Sequence, residues 1–170
     1  MDLSHLALHL TYAEIEVEIQ KLADRINEEY KDKELTIVGV LTGGYRFFSE
    51  LTRKIKLKVK LDFVAVSSYH NNQMSENINI TKDLKYHVHD CHVILVDDII
   101  DSGRSVNTII ELIEARGALS VKPVSLLGHT NTEYPKVNQT LDYLFEYDGK
   151  FFVGFGMDDH EYYRQLDNLY

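Results

Sequence analysis

The run VILVDDIIDSG, residues 93–103, constrains this chain more than any other segment. Four apolar residues precede two adjacent carboxylates, Asp97 and Asp98, and two more apolar residues lead to Asp101, Ser102 and Gly103. The apolar stretch is too short to span a membrane and reads as a strand buried in a parallel sheet. Arg104, Ser105 and Val106 follow, then Ile109, Leu112 and Ile113 along one side of a helix. The acids and the Ser-Gly turn therefore fall where a strand's carboxyl end meets a helix N-terminus. Open α/β sheets bind ligands at that place.

The turn itself has a chemistry. Residues 101–105 offer free amides at a helix start, the hydroxyls of Ser102 and Ser105 and the Arg104 guanidinium. Gly103 lets the backbone approach closely, and such a turn suits a phosphate monoester. Asp97 and Asp98 would repel phosphate but suit sugar hydroxyls or a hydrated divalent cation such as Mg²⁺, which prefers carboxylate and water oxygens. Together these imply a phosphorylated sugar. Asp101 stands three residues beyond Asp98, close enough to reach whatever is attached to that sugar.

Two other nucleotide-binding patterns are excluded. A strand ending in Asp-Asp resembles the second motif of P-loop NTPases, but there is no G-x-x-x-x-G-K-[ST]; the only Gly-Lys, Gly149-Lys150, precedes Phe151. A dinucleotide fold wants G-x-G-x-x-G, yet Gly154-Phe155-Gly156 is followed by Met157, Asp158 and Asp159.

The rest of the chain reads as one α/β domain spanning residues 1–170, with a mainly parallel sheet flanked by helices. Thr11 and Glu14 form a capping box for a helix whose apolar side is Ile15, Ile19, Leu22, Ile26 and Tyr30. Residues 36–41 read as a short buried strand, with Gly43-Gly44 turning into a helix over 45–55. A second strand covers 61–67, and the polar stretch 69–79 reads as a mobile loop. Arg116-Gly117 ends the helix that follows the signature. Further strands are expected over 121–127, 141–145 and 151–155. His87, His89, Cys91 and His92 are rich in metal ligands, and His87 and His89 would share a strand face. A second ligand pair at zinc-site spacing is lacking, and the segment reads as the approach to the signature strand.

Composition narrows the function class. Hydrophobic residues at 44% and charged ones at 26% are globular values and argue against disorder. The net charge of −9 disfavours nucleic acid and anionic membrane as partners. One cysteine, Cys91, makes no internal disulfide, and the start of the chain has no signal-peptide pattern, so a cytoplasmic protein is expected.

VILVDDIIDSG resembles the phosphoribosyl-pyrophosphate (PRPP) signature of type I phosphoribosyltransferases. More narrowly, the chain is similar to the hypoxanthine-guanine phosphoribosyltransferases from about Val38 to the C-terminus. Supporting segments are VLTGGYRFF (40–48), SSY (67–69) and FVGFGMDDHEYYRQL (152–166), in the family's order.

The resemblance implies transfer of a 5-phosphoribosyl group from PRPP to N9 of a 6-oxopurine, giving a purine nucleoside monophosphate and pyrophosphate. It implies Mg²⁺, a homodimer or homotetramer, and a small hood of N- and C-terminal segments over the sheet. Asp97 and Asp98 would hold the ribose hydroxyls and, with Asp158, metal. Asp101, Ser102, Gly103, Arg104 and Ser105 would cradle the 5′-phosphate, with Asp101 also the general base. Thr42, Gly43 and Arg164 would meet pyrophosphate, and Ser68 and Tyr69 would open a closing lid. His129, Phe152, Val153 and Asp158 would contact the base. Read without the family, Phe152 and Val153 are strand core and Arg164 a surface charge. Two positions depart from the family's pattern: Thr42 stands where relatives commonly carry Lys or Arg, and His129 where they carry Lys. These keep two alternatives open, a phosphoribosyltransferase for another base such as xanthine, and a nucleotide-sensing regulator without turnover.

Overall fold

The computed structural model describes residues 6–70, 73–129 and 140–170. Its first helix, α1 (Tyr12–Glu29), begins as expected: Thr11 caps it and exchanges hydrogen bonds with Glu14 in a capping box. Ile15, Ile19, Leu22 and Ile26 then fall on one buried stripe, so the helix is fixed by a period-3.6 face as well as by its cap.

Strand β1 (Leu35–Leu41) leads into α2 (Tyr45–Thr52), β2 (Val59–His70) and β3 (Gln73–Lys82). The signature forms β4 (His92–Ile100) and the start of α3 (Arg104–Ala115), followed by β5 (Ser120–His129) and β6 (Asp142–Tyr147). The six strands form one sheet in the order β3-β2-β1-β4-β5-β6. Every neighbouring pair is parallel except β2 with β3.

Strand β4 shows why an unbroken apolar run was needed. Ile94 and Val96 belong to the core shared with α1 and α2, whereas Val93 and Leu95 belong to the core under α3. Successive residues point to opposite faces, and both faces are covered, so all four are buried. Burying each such side chain contributes about 1.5–3 kcal/mol.

The structure corrects four expectations. The polar stretch 69–79 is not simply a loop: its described parts extend β2 and form β3, an antiparallel edge strand. An edge strand draws its stability from backbone pairing and can be polar throughout, which hides it from an apolar-run reading. Residues 151–155 are not a strand, because Gly154, Phe155 and Gly156 all take positive φ. The segment folds on itself through Gly154 and Met157 instead. Helix α2 stops at Thr52, and the amides of Lys54 and Ile55 bond three residues back in closing turns. His87 and His89 lie in irregular chain before β4 and share no strand face; His89 pairs with Asp90, and His92 reaches the Ser120 hydroxyl.

The two ends of the described chain meet over the sheet as the small hood. Leu10 and Leu169 form an antiparallel bridge, and the Tyr12 amide donates to the Asn168 side chain at 2.9 Å. Tyr170 and Val153 exchange backbone hydrogen bonds.

Candidate active site

At the carboxyl end of β4 the chain leaves the sheet with Asp97 and Asp98 part-buried side by side. Asp97 accepts the Asp98 amide at 3.0 Å, and Asp98 accepts the Ile99 amide at 2.9 Å. These bonds do not offset the loss of water. Burial, then the Asp98 charge beside it, raises the Asp97 carboxyl well above the usual carboxylate range. Burial also raises Asp98, while the Arg164 guanidinium partly opposes the rise.

A raised folded-state carboxyl binds its proton more tightly than the unfolded chain does. The ligand-free protein therefore loses stability as pH rises from the ordinary carboxylate range through the folded-state range. Asp97→Asn removes that cost. We expect it to stabilise the ligand-free chain at pH 7 by about 0.5–2 kcal/mol. Thermal melts at pH 5 and pH 7 check this, and the gain should be smaller at pH 5.

Beyond Ile100 the turn is as expected. Gly103 sits at the N-cap of α3 with φ 75°, a left-handed conformation that a glycine adopts without cost. Asp97, Asp101, Ser102, Gly103 and Ser105 line a hollow of about 150 Å³ in front of the helix start. Its size and donors suit one phosphate. Arg104 is exposed and is not among the lining residues.

The Leu41–Gly44 turn after β1 closes one side. A Cβ on Gly43 would lie 2.0 Å from Asp98 Oδ2, so this backbone rests directly on the carboxylate. Thr42 is exposed on the same turn. Arg46 offers no substitute for a cation there, since it pairs with Asp167 at 2.7 Å.

A second hollow of about 270 Å³ lies beside the first, lined by Asp98, Ile99, Asp101, Tyr147, Lys150, Phe151, Phe152, Met157 and Asp158. Asp101 and Ile99 line both. Asp101 thus stands at the junction of a polar cradle and an aromatic chamber. Tyr147, from the end of β6, keeps its phenol protonated, raised by burial and by the nearby Asp101 charge.

Several expected contacts are rearranged. Phe152 is 8% exposed, packs on the core and has its ring 4.5 Å from that of the exposed His9, whereas Phe151 is 73% exposed. Both rings line the second hollow, and Phe151 is the more exposed of the two. Val153 spends its amide and carbonyl on Tyr170, so its backbone is not available to a base edge. Phe152 takes no backbone hydrogen bond among the described residues. Strand alternation could not locate the exposed ring, because the segment is not a strand. Lys150, Phe151, Tyr147 and Met157 were missed, although Lys150-Phe151 directly adjoins the segment singled out.

Arg164 is 19% exposed at its side chain and pairs with Asp158 at 2.7 Å and Glu161 at 3.0 Å. It also donates to the Gly156 carbonyl at 3.0 Å, and its Nε is buried without a hydrogen-bond partner among the described residues. Asp158 is thereby held on Arg164, and no cluster of three metal-ligating side chains forms among the described residues. His129 Nε2 lies 2.9 Å from Asp101 Oδ1. Ser68 and Tyr69 lie in β2 rather than at the head of a loop; residues 71 and 72 of the expected lid fall outside the described residues.

The chain as a whole has known counterparts. The family model for the phosphoribosyl transferase domain matches residues 10–160. The chain belongs to the phosphoribosyltransferase family. Among phosphoribosyltransferases, it is 33% identical over 159 residues to the hypoxanthine-guanine phosphoribosyltransferase of Streptococcus pneumoniae, covering 92% of this chain and 87% of that one. It is 36% identical over 155 residues to the bifunctional TilS/HprT protein of Listeria monocytogenes, covering 90% of this chain but only 24% of that longer protein. A crystal structure of a hypoxanthine phosphoribosyltransferase from Staphylococcus aureus superimposes with a TM-score of 0.90 at 29% identity, covering 99% of this chain and 93% of the other. The phosphoribosyltransferase fold therefore extends over the hood as well as the sheet.

Proposed function

We propose that this chain transfers the 5-phosphoribosyl group of PRPP to N9 of hypoxanthine or guanine, releasing pyrophosphate and a purine nucleoside monophosphate. The observation that carries the reading is the position of Asp101 on the wall of both hollows. A ribose 5-phosphate in the smaller one and a planar base in the larger one would bring the anomeric carbon and the purine together beside this carboxylate.

The chain's own groups then divide the work. The 102–105 turn anchors the 5′-phosphate, which holds the sugar in place and lowers the entropic barrier. Asp97 and Asp98 face the ribose hydroxyls. Asp101 takes the proton from purine N7 as N9 attacks and the anomeric C–O bond to pyrophosphate breaks. Gly43, the Thr42 backbone and Arg164 receive the departing pyrophosphate.

The two repelling carboxylates of Asp97 and Asp98 fit a divalent cation, and Mg²⁺ needs only one or two protein carboxylates when substrate oxygens and water complete its shell. When bound, Mg²⁺ would neutralise charge developing on pyrophosphate. The net charge of −9 makes that help necessary for a polyanionic substrate. The family also supports treating residues 1–170 as one catalytic domain, assembled as a homodimer or homotetramer in the cytoplasm. No described helix is long and apolar enough to cross a membrane.

The base would stack on Phe151 and meet the Phe152 backbone at its edge. We expect Phe151→Ala to weaken base binding by about 0.5–1.5 kcal/mol, the worth of an aromatic pair, with little change in melting temperature. Phe152→Ala should instead cost about 3–5 kcal/mol of stability. Calorimetric titration of hypoxanthine together with thermal melts separates the two. Equal destabilisation by both would place Phe151 in the core.

The deciding experiment is pyrophosphate release from PRPP and Mg²⁺ with hypoxanthine, guanine, xanthine and adenine in parallel. Release with hypoxanthine or guanine supports the reading. Release with xanthine alone would reassign the base, and nucleotide binding without release from any base would overturn transfer.

A further inference from the structure

Asp101 has to aim one oxygen at a small volume, yet its side chain is 67% exposed on a turn beside a glycine. Nothing packs such a carboxylate into one rotamer, and each extra rotamer reduces the fraction of molecules poised to react. Its side-chain partner among the described residues is His129.

The fold supplies that partner by register. Strands β4 and β5 run parallel with Ile100 opposite Gly128, so Asp101, one step beyond the end of β4, stands beside His129, the last residue of β5. Strand β6 continues the row with Tyr147 opposite His129. The Tyr147 ring meets the imidazole edge-on at 4.6 Å between centroids, and the His129 side chain is only 19% exposed. The imidazole is therefore held by packing, and with the proton on Nε2 it donates to Asp101 Oδ1 across 2.9 Å. That leaves Oδ2 of the carboxylate for the purine. His129 itself is not among the residues lining the aromatic hollow, whereas Tyr147, in front of it, is.

We infer that His129 is a positioning residue for Asp101, not a reader of the purine's 6-substituent. The inference rests on the transferase reading above. It predicts that His129 governs how fast any accepted base reacts, and that base choice belongs to the residues lining the hollow.

The test compares steady-state kcat and KM of the full chain, with PRPP, Mg²⁺ and either hypoxanthine or guanine. Variants are His129→Ala, His129→Gln, Asp101→Asn and the double variant Asp101→Asn/His129→Ala. His129→Ala should lower kcat about 10–100-fold for both bases alike, the range expected from a misplaced reacting group. Base KM should stay within about twofold. His129→Gln, whose amide can still donate, should recover much of the loss. On the Asp101→Asn background, removal of His129 should cost little more. If His129→Ala does not fold, His129→Leu, which fills the space without donating, takes its place.

A selective rise in base KM at unchanged kcat would overturn the inference, as would an undiminished loss on the Asp101→Asn background. Failure of the unaltered chain to release pyrophosphate is a separate outcome. It strikes the transferase reading before any variant is compared.

Discussion

Asp101→Asn is expected to lower turnover by about 10²–10⁴-fold, the usual contribution of a general base. The substitution keeps shape and retains an acceptor for His129, so the geometry at the junction of the two hollows should persist. It also removes one negative charge from a chain with a net charge of −9. PRPP affinity should therefore hold or rise while kcat collapses. The measurement is a pair: PRPP binding by calorimetry with Mg²⁺, and single-turnover product formation at saturating PRPP. Lost PRPP binding with unchanged turnover per bound substrate would make Asp101 a ligand for the sugar phosphate and not the base.

Gly43→Ala should be nearly as damaging through a different route. The added methyl would sit 2.0 Å from Asp98 Oδ2 and 2.6 Å from its Cγ. Either the Asp98 carboxylate swings away or the Leu41–Gly44 turn retreats, and each displaces a group proposed to face PRPP. Misplacement of this size is worth about 10²-fold in rate, whereas overpacking costs about 1–3 kcal/mol in stability. We expect a folded protein with a lowered melting temperature and PRPP-dependent turnover lowered about 100-fold, in line with that misplacement. Unchanged turnover would show that Asp98 can move without consequence, which would remove it from the sugar site.

The parts of this molecule that were legible in the sequence share one property: their pattern is local and periodic. The signature strand, its turn and α3 could be read because the buried strand, the glycine and the helix stripe follow one another without a break. The α1 capping box was legible for the same reason. Strand β3 was not, since an edge strand needs no apolar face. Nor could sequence tell Phe151 from Phe152. Which of two adjacent rings is buried depends on positive-φ residues downstream and on His9 arriving from the far end of the chain. The His129 contact with Asp101 depends on the β4–β5 register, which no local pattern encodes.

The hood rests on contacts between residues 6–12 and 150–170, chiefly the Leu10–Leu169 bridge and the Tyr170–Val153 pair. The 101–105 turn, by contrast, grows out of β4, a central strand of the sheet with its apolar run buried. The two halves of the site thus differ in how much of the molecule must open to release them. A segment held by a few backbone pairs can open far below the free energy of global unfolding. Amide exchange should therefore be fastest along the wall proposed to face the base and slowest beneath the turn proposed to hold the sugar phosphate. Such a molecule could let a nucleoside monophosphate depart base first, while its phosphate is still held.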